Sequence, residues 1–154
     1  YKKHGFKSYF FNVTYKYVIN TNTFTQLYND SSIVDTYNKD LVFNYNKQSV
    51  FQKYANYLHL LIVNKTTQFK AMYEKDMLCA YGISFAYKDG YKVVLSANTI
   101  DESSALFFAL IRLYPLTTSI YIEVLDTQKN LVELSGLLKM EENSRMSRMY
   151  NKIM

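Results

Sequence analysis

Between Thr67 and Leu125 the apolar residues change their spacing from alternate positions to nearly every position, and then to a short apolar run. That succession restricts the fold more than any other feature of the chain. Phe69, Ala71 and Tyr73 alternate, Glu74-Lys75-Asp76 reads as a turn, and residues 78–87 read as a second strand. Lys88-Asp89-Gly90 predicts a hairpin turn, with the glycine supplying a positive φ, and residues 91–96 complete an antiparallel meander. Thr99, with Glu102 three residues on, has the form of a capping box. The helix it opens, 100–114, is apolar on nearly every side, which predicts burial, and Pro115 ends it. Residues 120–125 form a mostly apolar strand, the pattern of a central strand covered on both faces. A meander followed by a single helical crossover makes a mixed sheet rather than a doubly wound one.

The flanking segments read less regularly. Residues 9–19 are aromatic and β-branched and predict a strand, while 20–32 are rich in Asn, Thr and Ser and predict loop. A helix is expected over 32–42, capped by Ser31 or Ser32. A second is expected over 47–63, where Val50, Phe51, Tyr54, Tyr57, Leu58, Leu61 and Ile62 recur at helical spacing. His59 lies within that stripe and is read as a packed residue rather than a ligand. Towards the other end, Asp126 is the expected cap of a helix with Leu131, Leu134 and Leu138 on one face, and 144–154 reads as a closing strand.

Composition narrows the class of protein. Of the 154 residues 49% are hydrophobic and 20% charged, enough for a core and too apolar for a disordered chain. The single cysteine, Cys79, excludes an internal disulfide framework and a cysteine-based zinc cluster, and is expected to be a buried thiol. No apolar run approaches the roughly 20 residues of a membrane span, and the expected location is cytoplasmic. The net charge of +5 comes from 15 Lys against 3 Arg, beside 13 Asn and 16 Tyr. These residues share adenine- and thymine-rich codons, so the charge is weak ground for a nucleic-acid partner, and lysine lacks the bidentate fork of an arginine phosphate site. The three Asn-x-Ser/Thr triplets at Asn12, Asn29 and Asn64 are read as chance matches.

The predicted order is helix, helix, three antiparallel strands, helix, strand, helix, strand. The first six residues, Tyr1-Lys2-Lys3-His4-Gly5-Phe6, carry a Tyr-x-x-x-Gly-Phe pattern, and Ser135-Gly136-Leu137-Leu138-Lys139-Met140 with Arg148-Met149-Tyr150 looks like a worn second copy. Order and motif together resemble the GNAT N-acetyltransferase superfamily, in which that pattern ends the last long helix. The fold class this implies is mixed α+β (α/β): a GNAT-like mixed sheet of about six to seven strands with helices on both faces. The position of the first copy, and a chain opening on Tyr1, imply a tandem protein. Residues 1–17 would be the last strand of a preceding GNAT domain and 18–154 a second, degenerate one.

The resemblance implies acetyl-CoA or another acyl-CoA in a cleft where the fourth and fifth strands of the fold splay apart, with an amine as acyl acceptor. Coenzyme contacts would fall on Val94, Leu95 and Ser96, on Thr99 and Ser103 at the following helix, and on Gln128, where the family usually has Asn. Catalytic candidates by analogy are Glu123 as general base and Ser135, which stands where the family's acidic Tyr would be. Two departures matter. The loop Ala97-Asn98-Thr99 has neither glycine nor basic residue, and Asp101 and Glu102 place two carboxylates in the first turn, which favour the helix and repel a pyrophosphate. A serine hydroxyl is also a far weaker acid than a phenol. Three functions follow: an N-acyltransferase domain, a non-catalytic GNAT-like module that supports a first domain or forms a homodimer, and, remotely, a tyrosine-rich binder of single-stranded nucleic acid.

Overall fold

The computed structural model describes residues 6–23, 33–35, 37, 40–41, 45, 66–125 and 127–151, with backbone alone for 6–11 and 146–151. Among the described residues seven strands form one sheet: β1 (Phe6–Val18), β2 (Ile33–Val34), β3 (Gln68–Glu74), β4 (Met77–Tyr87), β5 (Gly90–Ser96), β6 (Ser119–Leu125) and β7 (Glu141–Asn151). Among the described residues, α1 (Ile100–Ile111) and α2 (Lys129–Leu137) cover one face of it. The sheet order is β2-β3-β4-β5-β6-β1-β7, with β5–β6 the parallel pair and the others antiparallel. The mixed α+β fold expected from the sequence is therefore the one present.

Alternation along the strands assigns each face. Ala80, Val93, Leu95, Ile120, Ile122 and Val124 point to α1 and α2 and form the larger core with Leu106, Phe107, Leu110, Leu131 and Leu134. Ala71, Tyr81, Ile83 and Val94 point the other way, where Tyr37, Leu41 and Tyr45 pack on them; Leu41 and Tyr45 have helical backbone. Gly82 lets α1 lie close, because a Cβ there would stand 2.8 Å from Leu110 Cδ1 and 2.7 Å from Leu95 Cδ2.

Several local expectations change. Ile33–Val34 is a short edge strand on β3 rather than the start of a helix, with Ile33 opposite Met72 and Val34 opposite Ala71. At the β4–β5 turn the positive φ belongs to Lys88 (49°), not to Gly90. Gly90 is required for close approach instead, since a Cβ would fall 1.9 Å from the Ser119 carbonyl oxygen on β6. The β3–β4 turn does carry positive φ at both Lys75 (52°) and Asp76 (66°), the geometry that matches strand twist in a two-residue hairpin. α1 stops at Ile111, ahead of the 100–114 expected, and a turn with Tyr114 N donating to Ile111 O leads into Pro115. The residue before a proline is disfavoured in the helical region, and the turn ends there, at Tyr114. α2 starts at Gln128 as N-cap, without a side-chain cap. Asp126, the expected helix over 47–63 with His59, and residues 1–5 of the first Tyr-x-x-x-Gly-Phe pattern lie outside the described residues.

The strand expected over 9–19 is interior to this sheet. β1 pairs with β6 from Asn12↔Leu125 to Val18↔Ser119 and with β7 from Phe6↔Asn151 to Lys16↔Glu141. Ile19 beyond it is fully buried, and its amide donates to Thr118 O at 3.0 Å.

Candidate functional site

The parallel pairing of β5 with β6 runs Tyr91↔Ile120, Lys92↔Tyr121, Val93↔Ile122 and stops. Beyond that point each strand keeps only its outer neighbour, Ser96 with Tyr81 on β4 and Leu125 with Asn12 on β1. The two strands part, and the wedge between them opens into a cleft of about 1110 Å³. Its walls are the end of β5 (Leu95, Ser96, Ala97, Asn98), Glu102 on α1, the start of α2 (Thr127 to Leu131) and the β3–β4 hairpin (Glu74 to Cys79), with Leu41 and Tyr45 across from them. Asp76 is not among the hairpin residues that line it.

The start of α1 sits at the mouth of the wedge, where a helix ordinarily offers free amides and the positive end of its dipole to an anion. Here side chains of the same segment take three of the amides around the cap. Glu102 Oε1 accepts from Asn98 N at 3.0 Å and from Thr99 N at 3.2 Å, and Thr99 Oγ1 accepts from Glu102 N at 3.1 Å. This is the capping box read from the sequence, extended by one amide. Asp101 adds a second carboxylate to the turn. On the opposite wall Asn130 Nδ2 donates to Ala97 O at 2.7 Å, a bond from α2 to the splayed end of β5.

Tyr45 and Cys79 share the cleft with these groups. Ser96 Oγ donates to the Tyr45 hydroxyl oxygen at 3.3 Å, and the Tyr45 ring meets Tyr81 edge-on at 5.7 Å. Burial pushes the Tyr45 phenol up, the Ser96 bond opposes this, and Glu102 and Cys79 push in the same direction as burial. Cys79 is half-buried, not buried as expected. The β3–β4 register slips there: Met72 faces Ala80 and Tyr73 faces Leu78, so Cys79 is the extra residue of a β-bulge and is turned to the cleft. Its thiol lies 3.8 Å from Glu74 Oε2 and 3.6 Å from Met77 O. Burial, and then the negative charges of Glu74 and Glu102, push that thiol up and keep it protonated, the opposite of an activated nucleophile.

Of the residues singled out by sequence, Leu95, Ser96 and Gln128 line the cleft. Gln128 Oε1 accepts from Leu125 N at 2.9 Å and so holds the β6–α2 turn. Val94 packs in the smaller core on the opposite face, and Thr99 caps α1. Ser103 is fully buried, its hydroxyl without a partner among the described residues, and does not line the cleft. Glu123 is exposed and pairs with Lys92 Nζ at 3.5 Å. Ser135 is buried in α2, where its hydroxyl donates to Val132 O at 2.7 Å. Neither Glu123 nor Ser135 reaches the lining. The residues that sequence reading missed are Tyr45, Glu74, Cys79 and Asn130, with Lys75 and Lys129 at the exposed rim. A bulge and a bond between distant elements leave no local pattern in the sequence.

Known proteins agree with the fold that this wedge defines. No family model and no curated protein matches the sequence. Among solved structures, a functionally unknown conserved protein from Staphylococcus epidermidis superposes with a TM-score of 0.63 at 11% identity, over 98% of this chain and 64% of that one. A putative acetyltransferase of the GNAT family from Novosphingobium aromaticivorans gives 0.57 at 11% identity, over 97% and 69%. A GCN5-related N-acetyltransferase from Kribbella flavida gives 0.57 at 9% identity, over 97% and 38%. The chain has the fold of GNAT acetyltransferases, and it spans less than two-thirds of the Staphylococcus and Kribbella chains.

The residues present do not fit the pyrophosphate of an acyl-CoA. The Asn98 and Thr99 amides are bonded to a carboxylate of the same polypeptide, and Asp101 in the same turn adds a second negative charge.

Proposed function

We propose that this chain is a non-catalytic module on the N-acyltransferase fold, which keeps the strand wedge but does not hold an acyl-CoA. The observation that carries the reading is Glu102 occupying the amides of Asn98 and Thr99. The placement of Ser135 and Glu123 away from the cleft lining supports it. In this reading residues 1–17 are the last strand of a preceding domain lent to this sheet, and catalysis belongs to that domain. A single-stranded nucleic acid is a poor partner, because Tyr121 is buried and Lys16, Lys88 and Lys92 lie 5.0–5.9 Å from the Tyr87 and Tyr121 ring centres, leaving no open stacking platform there. Calorimetric titration with acetyl-CoA is expected to give no saturable heat; a low-micromolar affinity would overturn the reading.

The second reading is an active domain that transfers an acetyl group from acetyl-CoA to an amine. It is favoured by the open wedge beyond Val93 and Ile122 and by Lys75 and Lys129 on its rim, two cations a phosphate could meet. It predicts acetyl-CoA hydrolysis or transfer that falls when either lysine is replaced.

A further inference from the structure

We propose that Glu102 and Asn130 together form an internal plug that keeps the cleft closed to acyl-CoA, each standing where one part of such a ligand would bind. The inference rests on the reading that the coenzyme is not held, and names the side chains responsible. A helix start recognises an anion through free amides and its dipole, and Glu102 Oε1 takes the N-cap amide of Thr99 and that of Asn98 before it with a full negative charge. The carbonyls at the splayed end of a strand are acceptors for any amide that enters the gap, and Asn130 Nδ2 takes the one at Ala97, at 2.7 Å. The two contacts come from opposite walls. One is made by α1 upon the loop that precedes it, the other by α2 across to β5. Both side chains are half-buried, both line the cleft, and neither belongs to either hydrophobic core. Their hydrogen bonds can therefore be removed without opening a cavity in the core.

The plug predicts a gain of binding on mutation. Titrations of acetyl-CoA and of inorganic pyrophosphate into the wild type, Glu102→Gln, Asn130→Ala and the Glu102→Ala/Asn130→Ala pair distinguish the parts. The pair should bind acetyl-CoA at least about tenfold more tightly than the wild type, the effect of restoring one charge-assisted hydrogen bond. Glu102→Gln, which keeps an acceptor and loses the charge, should improve pyrophosphate binding by less. Asn130→Ala should affect acetyl-CoA and leave pyrophosphate unchanged. Folded variants that titrate like a non-binding wild type overturn the plug while sparing the proposed function. A wild type that already binds at low-micromolar concentration overturns both. If the double alanine variant fails to fold, Glu102→Gln/Asn130→Ala, in which glutamine still serves a capping box, should bind acetyl-CoA more tightly than Asn130→Ala alone, and no gain over the wild type overturns the plug.

Discussion

A methyl group added at Gly90 would stand 1.9 Å from the Ser119 carbonyl oxygen, whereas one added at Gly136, exposed on α2, meets nothing within 4 Å. The same substitution therefore has opposite signs at the two sites. Gly90→Ala should destabilise by about 2 kcal/mol, as β5 and β6 are forced apart. Gly136→Ala should stabilise by up to about 1 kcal/mol, the difference in helix propensity. Urea unfolding of both variants measures this, and an equal effect at the two glycines would contradict the register of β5 on β6. Sequence alone marked Gly90 as a turn residue and gave it the wrong task, because the oxygen it must clear lies 29 residues further along, at Ser119. Cys79 was misread for a related reason: alternation predicts a buried position on β4, and the bulge opposite Met72 and Tyr73 turns the thiol outward. With its pKa raised by burial and by Glu74 and Glu102, the thiol should alkylate more slowly at pH 8 than a free cysteine. Glu74→Gln, which removes one of those charges, should speed the reaction. Iodoacetamide kinetics across pH measure both, and a rate above that of a free thiol would contradict the assignment.

At the scale of elements, the helices and strands with local signals were legible. α1 announced its start through Thr99 and Glu102 and its burial through an apolar circumference, and the meander through alternation and turns. The strand character of β1 was equally clear, but its place between β6 and β7 was not, because no residue within it names its partners. That place has a consequence. β7 pairs with β1 alone among the described strands, so β1 is what ties it to the sheet. Deleting residues 1–17 should expose the β6 edge, release β7 and abolish the cooperative thermal transition, with aggregation through the open edge. Circular dichroism melts test this, and a deletion variant melting like the wild type would contradict the topology.

For the whole molecule, the proposed function turns on one acidic residue, Glu102, at the mouth of the wedge. The fold was readable from the order of elements, and the acidic helix start was readable as unsuited to phosphate. What sequence could not give was that Glu102 reaches the amides of Asn98 and Thr99 and that Asn130 bonds to Ala97 across the gap, since side-chain reach depends on where β5, α1 and α2 converge. Glu123 and Ser135 were placed by analogy with a family whose catalytic geometry depends on the same convergence. The most direct measurement is the amide nitrogen–proton spectrum of the wild-type protein during an acetyl-CoA titration. The account predicts that the resonances of Asn98, Thr99 and Glu102 stay where they are to millimolar coenzyme, and a saturable shift of those three amides would contradict it.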